Sequence, residues 1–294
     1  MDTLRRKLDY AVVWENTVNA IASYLEKYNL QSMILGVSGG IDSTLAAAIC
    51  CEVYKRTNKP LIGLSLMTST NGNDEVDAAA FVGAEFCTEY YKRQIGDNFQ
   101  NILEKCRDIN SERTTIADGN IKARLRMIIL YDTASIRKGI VIDTDNNSEH
   151  YLGFYTIHAD DGDLNIIRMW KSEIYEFAQW IKDNIYPDSQ ALSASIALTP
   201  TDGNGVQAGG DMAQIAPGHT YNDVDDILQT YLEYSGRHPE EYQIAMNNLY
   251  EKYSYETVER VLKRHHNSQF KRWHRPLIID PTTGEILQND FSKL

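Results

Sequence analysis

The run Leu35-Gly36-Val37-Ser38-Gly39-Gly40-Ile41-Asp42-Ser43-Thr44-Leu45 constrains this chain more than any other stretch of it. Met33 to Val37 is apolar over the length of a buried parallel strand, and Ser43 to Val53 carries apolar residues at helical spacing. Ser38 to Ser43 is therefore a turn from a strand into a helix N-terminus. Such a turn suits polyphosphate, because paired glycines let the backbone approach a ligand and the free N–H groups of the helix start point toward negative charge. Ser38 and Ser43 add hydroxyl donors. The lysine with which a Walker loop holds β- and γ-phosphates is missing, which argues against an ordinary kinase or GTPase. Asp42 beside phosphate calls for a bridging cation, and a hard oxygen ligand that leaves the ion several waters points to Mg²⁺.

Further strands are expected at Leu61 to Met67 and Ile140 to Asp143, with helices near 75–90, 120–134, 171–184, 221–234, 238–250 and 254–268. Ahead of the loop, Trp14, Val18, Ile21 and Leu25 recur at helical spacing, so the N-terminal region reads as a folded amphipathic helix and not as a signal peptide. Strands alternating with helices imply an α/β fold with a doubly wound parallel sheet flanked by helices. The 294 residues suffice for a sizeable core and are read as one domain over 1–294. Ligands of such sheets bind beyond the carboxyl ends of the strands, where Gly36 to Ser43 and Asp143 to Glu149 both emerge. These two segments are expected to share a site.

Twenty-nine basic against 41 acidic residues give a net charge of −12, which leaves no basic footprint for nucleic acid. Lys263-Arg264-His265-His266 and Lys271-Arg272 concentrate positive charge near the C-terminus, suited to a small anionic ligand. No apolar run is long enough to cross a bilayer, and the expected location is the cytoplasm. Cys50, Cys51, Cys87 and Cys106 form no CxxC pair and read as buried free thiols. Asp143, Asp145 and Asn147 alternate as in a calcium loop, but Ser148 stands where such a loop needs glycine and Phe154 where it needs glutamate.

Ser38 to Ser43 resembles the SGGxDS signature of the N-type ATP pyrophosphatases, which cleave ATP between the α- and β-phosphates and adenylate a carboxylate or carbonyl oxygen. Downstream, Asn120-Ile121-Lys122-Ala123-Arg124-Leu125-Arg126-Met127 opens a helix on which Asn120 and Arg124 are expected to share a face. It is followed by Asp143-Thr144-Asp145-Asn146-Asn147-Ser148-Glu149. This order and spacing is similar to that of the ammonia-dependent NAD synthetases. The resemblance continues through Gly153-Phe154-Tyr155-Thr156, Asp160-Asp161-Gly162-Asp163, Lys171, Pro200-Thr201, Gly218-His219-Thr220-Tyr221 with Asp225-Asp226, and Lys271-Arg272. It covers the chain from the first helix to about Ile278.

What the resemblance implies is a homodimeric ligase that uses ATP and Mg²⁺ to adenylate the nicotinate carboxylate of deamido-NAD, after which ammonia displaces AMP to give NAD. Carried over position by position, Gly36, Val37, Ser38, Gly39, Gly40, Ile41, Asp42, Ser43, Thr144, Lys171 and Thr201 would bind ATP. Asp42 and Glu149 would hold the metal, and Arg124, Asp163 and Lys271 would contact deamido-NAD. Lys171 and Asp42 would be catalytic, Lys171 as a flexible point charge that follows phosphate as its geometry changes. Ile157 stands where the family has a lysine, Phe270 where it has a histidine, and Asp143 where it has a glycine. With no N-terminal cysteine nucleophile, the nitrogen donor would be free ammonia or ammonia from a separate glutaminase. The rival readings are another adenylating ligase or tRNA-modifying enzyme of the same superfamily, and a non-catalytic nucleotide-binding homologue.

Overall fold

The computed structural model describes residues 6–69, 71–159, 162–200 and 215–272, together with the backbone of 278–279 and 286–287. The chain opens with α1 (Tyr10–Lys27), whose first turn is capped by the Asp9 carboxylate accepting from the N–H groups of Ala11 and Val12. Its inner stripe is Trp14, Val18, Ile21 and Leu25, all buried. Full burial of a side chain such as Val18 or Leu25 contributes about 1.5–3 kcal/mol, so this stripe is what fastens α1 to the core it shares with the helix that starts at Ile41.

Five parallel strands follow: β1 (Ser32–Gly36), β2 (Leu61–Met67), β3 (Glu89–Gln94), β4 (Gly139–Asp143) and β5 (Leu164–Asn165), in the spatial order β3-β2-β1-β4-β5. Between them run α2 (Ile41–Thr57), α3 (Asn73–Phe86), α4 (Gly96–Ile109), α5 (Thr115–Arg137) and α6 (Asn147–Leu152), and α7 (Lys171–Asn184) and α8 (Gln190–Ala197) come after. The two-residue period of the strands sorts their side chains onto two faces. Met33, Leu35, Ile140 and Ile142 pack with α1, α2, α3, α7 and α8, whereas Ile34, Ile62, Leu64, Leu66 and Val141 pack with α4 and α5. The sheet is therefore doubly wound. It reverses direction between β1 and β4, and the loop after β1 and the loop after β4 open side by side at that point.

A third apolar cluster lies among α9 (Tyr221–Tyr234), α10 (Pro239–Tyr253) and α11 (Tyr255–Asn267), centred on Val224, Ile227, Met246, Leu249, Val258 and Val261. Leu152 at the end of α6 and Trp170 at the head of α7 belong to this cluster, so the helices sit against the loops that follow β4. A short antiparallel pair, β6 (Ile278–Ile279) with β7 (Ile286–Leu287), follows them.

The helix expected over 75–90 ends at Phe86, because Glu89 begins β3. That strand is at the sheet edge and mostly exposed, and its sequence Glu-Tyr-Tyr-Lys-Arg-Gln carries no buried alternation to announce it. Helix α4, where no helix was expected, shows only Phe99 and Leu103 to the core. The helices expected at 171–184 and 221–234 have those bounds. Among the described residues no helix is long and apolar enough to cross a membrane.

Candidate active site

Gly39 has φ +87°, and a Cβ there would stand 2.5 Å from the Glu75 carbonyl oxygen and 2.7 Å from the Ala79 nitrogen. Only glycine fits, and the turn is thereby seated on α3. The Ser38 and Ser43 hydroxyls lie 3.1 Å apart, Ser43 donates to the Gly40 carbonyl, and the Gly40 N–H donates to Ser38 Oγ. Helix α2 starts from Gly40 without a side-chain cap, which leaves its first-turn N–H groups to an incoming anion. Every residue from Gly36 to Ser43 except Gly39 lines a cavity of about 470 Å³. Gly39 faces α3 instead.

The loop after β4 supplies the other wall. Asn146 caps α6 by accepting from the Glu149 N–H, and Glu149 returns the bond to the Asn146 N–H. This capping box fixes Glu149 at the cavity, while the Asn146 side-chain amide donates to Asp42 Oδ1 at 3.0 Å. Lys171, the first residue of α7, extends its ammonium to the same place: 2.5 Å from Asp42 Oδ2, 3.2 Å from Glu149 Oε1 and 5.5 Å from the centre of the Tyr221 ring. Lys171 is buried, which by itself would lower its pKa. The Asp42 and Glu149 charges and the Asp42 hydrogen bond outweigh burial, so the pKa is raised and the side chain is an ammonium at all physiological pH.

Asp42 and Glu149 thus converge within reach of one cation through hard carboxylate oxygens. Among the described residues no cluster of three or more acidic, histidine or cysteine side chains forms a complete metal cage. Two carboxylates are the donor set expected where substrate phosphates and water complete an octahedral Mg²⁺ shell, and the arrangement fits that ion.

Beyond this centre the cavity is walled by one face of α5, with Ile116, Gly119, Asn120, Ala123, Arg126, Met127 and Leu130 at helical spacing. Arg126 donates from Nε to the Leu66 carbonyl, and Asn120 accepts from the Thr156 hydroxyl at 2.8 Å. Lys271 also lines the cavity, its ammonium held by the carbonyl oxygens of Gly153 and Tyr155. Thr144 lines it as well. Asp143, in the family's glycine position, turns its carboxylate onto its own loop and the neighbouring strand β5: it accepts from the Asp145 N–H at 2.8 Å and from the Asn165 amide at 3.1 Å.

Two expected ligand contacts lie elsewhere. Arg124 is exposed and donates to the Ile157 carbonyl, and the α5 residue turned into the cavity is Arg126. Asp163 is exposed too, accepting from the Tyr131 hydroxyl and the Val141 N–H. Arg124 therefore does not share the cavity-facing side with Asn120, because four residues advance a helix by slightly more than one turn and carry Arg124 around the rim. Thr201, expected to contact ATP, lies outside the described residues, although Leu198, Thr199 and Pro200 line the cavity. Asn146, Tyr221 and Arg126 carry site geometry that sequence reasoning assigned to no role. Each stood inside a quoted motif, and only their three-dimensional neighbours single them out.

The cysteines take no part. Cys50 is fully buried, and burial pushes the Cys87 thiol up to about 12.

Comparison with known proteins agrees with this geometry. The family model described as NAD synthase matches residues 13–275. An NH(3)-dependent NAD(+) synthetase of Thermoplasma volcanium is 32% identical over 225 residues, 75% of this chain and 85% of that protein. Among solved structures, NMN synthetase from Francisella tularensis superposes with a TM-score of 0.72 at 25% identity, covering 94% of this chain and 99% of its own. The NH3-dependent NAD synthetase of Campylobacter jejuni superposes with a TM-score of 0.67 at 24% identity over 93% of this chain and all of its own, a likeness of fold. Since the matched span takes in the glycine turn, both carboxylates and Lys171, the chain belongs to the NAD synthase family.

Proposed function

We propose that this protein is an ammonia-dependent ligase that amidates the pyridine carboxylate of deamido-NAD at the expense of ATP, releasing AMP and pyrophosphate. The observation that carries the reading is the convergence of Asp42, Glu149 and Lys171 beside an uncapped helix N-terminus in one cavity. A carboxylate resists ammonia because its leaving group would be oxide. Attack of the carboxylate oxygen on the α-phosphorus, with cleavage of the Pα–O–Pβ bond, replaces that leaving group with AMP. Ammonia then adds at the carbonyl carbon, the C–O bond to AMP breaks, and a proton is lost from nitrogen.

In this account the N–H groups at the start of α2, with Ser38 and Ser43, hold the β- and γ-phosphates, and Lys171 neutralises charge that builds on the departing pyrophosphate. Asp42 and Glu149 would hold Mg²⁺, which would supply Lewis-acid stabilisation to the same leaving group. Asn146 fixes the Asp42 rotamer for that task. Lys271 and Arg126 stand on the walls toward the acid substrate. We further infer a homodimer: α5 presents Ile128 and Tyr131 to solvent on one stripe together with Arg124, and two copies joined there would bury it. Arg124 and Asp163, both exposed, would then border a groove between subunits and meet the far half of the dinucleotide.

Nicotinate mononucleotide is a second acid to consider, favoured by Ile157 in the family's lysine position on the dinucleotide side and by the likeness to an NMN synthetase. The two acids share the reacting carboxylate and differ in the adenylate half. An isotope experiment tests the chemistry for both: with ¹⁸O in the carboxylate, one label is expected in AMP. Label retained wholly in the amide product and water would contradict an acyl-adenylate.

A further inference from the structure

Helix α7 is capped by Trp170, a residue whose side chain cannot accept a hydrogen bond, yet the N–H groups of Trp170, Lys171 and Ser172 are each engaged. Glu173 takes that of Trp170, Ser148 Oγ that of Lys171 at 2.9 Å, and Asp225 Oδ2 that of Ser172 at 2.9 Å. Ser148 donates its single hydroxyl proton to Asp225 Oδ1 at 2.5 Å, which leaves its lone pairs for Lys171. Asp225 and Ser148 are both fully buried. One carboxylate on α9 thus ties together the residue that precedes Glu149 and the residue that follows Lys171, 77 and 53 positions away in the chain. Tyr221, one turn earlier on the same face of α9, lies beside the Lys171 ammonium.

We propose that Asp225, acting through Ser148, is a positioning residue that sets Lys171 against Glu149 for the adenylation step; this rests on the amidation reading above. The chemistry requires a carboxylate. Both oxygens accept, one from a hydroxyl and one from a backbone N–H, whereas an asparagine in the same place would turn an NH₂ group toward one of those donors. Helix α7 would then lose its anchor at the residue whose side chain enters the cavity. Glu149 would be affected in step, because it follows Ser148 directly in the first turn of α6.

Asp225→Asn and Ser148→Ala test this, the second being a one-atom deletion that spares the fold if the first does not. Lys171 reactivity toward an amine-acylating reagent is followed by mass spectrometry, with buried Lys122 as the internal reference, alongside kcat and KM for ATP. Loss of an outer anchor of a site residue typically costs about 10–100-fold. We expect acylation of Lys171 to rise about tenfold relative to Lys122 in both variants, kcat to fall within that range and KM for ATP to stay within about twofold. The double variant should match the worse single one, since the two residues act as one unit. Lys171 reactivity unchanged against Lys122, or kcat within about twofold of wild type in both variants, overturns the positioning role. If wild-type protein amidates neither acid, the proposed function falls and the acylation ratio alone decides the role of Asp225.

Discussion

The Lys171 ammonium rests 2.5 Å from Asp42 Oδ2, on the carboxylate that the glycine turn presents to the cavity. Glu149 shares that ammonium at 3.2 Å, so both carboxylates proposed to hold the metal are held by a cation of the protein's own. A charge pair near 4 Å at an effective dielectric of about 20 is worth about 4 kcal/mol, less here because both carboxylates keep some contact with water. Lys171→Met should therefore tighten Mn²⁺ binding to the ATP-free protein by about tenfold or more, read by calorimetry or electron paramagnetic resonance. The same variant should lose about 10²–10³-fold in kcat. Unchanged or weaker Mn²⁺ binding would show that the ammonium and the metal do not compete for these oxygens.

Gly39→Ala should destabilise the protein by about 1–3 kcal/mol from its left-handed backbone alone, with more added by the clash against the Glu75 carbonyl. Gly96→Ala is the contrast: its Cβ would meet nothing within 4 Å, and it begins α4, so a gain of about 0.4–1 kcal/mol is expected. Urea titration of both variants checks the pair, and equal effects would refute the packing account of the turn.

These outcomes bear on what the sequence made legible. The strand, turn and helix around Ser38 to Ser43 could be read because their apolar periodicity and glycines are local signals, and α7 and α9 followed for the same reason. Strand β3 escaped notice because an edge strand needs no buried alternation, and α4 because it shows only Phe99 and Leu103 to the core. At the site, Asp42, Glu149 and Lys171 were recognisable from motif order. Arg124 was assigned to the acid substrate by the family resemblance, and the i, i+4 spacing that paired it with Asn120 could not say which side of α5 faces the cavity. Asp225 was hidden in a quoted acidic pair, since nothing local distinguishes a carboxylate that caps a distant helix from one in solvent.

His265 on α11 is buried, with Nδ1 3.0 Å from the Tyr151 carbonyl. Burial, and then the neighbouring Arg272 charge, push its pKa from the ordinary 6.5 down to about 4. Between these values the unfolded chain takes up a proton that the folded one refuses, so the associated stability is complete above about pH 6.5 and is lost as pH falls toward 4. His265→Gln should flatten this part of the melting temperature against pH profile. A variant with the wild-type slope would assign the acid sensitivity to other groups.

Ile128 is 63% exposed and Tyr131 is 39% exposed on one stripe of α5. Light scattering after size exclusion should give wild-type protein twice the 33.5 kDa chain mass, and the Ile128→Asp, Tyr131→Asp double variant a single chain mass. A double variant that remains dimeric would move the interface to another face.

The most direct test of the central claim measures amide, AMP and pyrophosphate together from purified protein with Mg²⁺, ATP, ammonium and either deamido-NAD or nicotinate mononucleotide. The account predicts that the three products form in equal amounts with at least one acid, and that Asp42→Asn abolishes all three while the circular dichroism spectrum is unchanged. ATP cleaved to ADP and phosphate, or amide formed at the wild-type rate by Asp42→Asn, would contradict it.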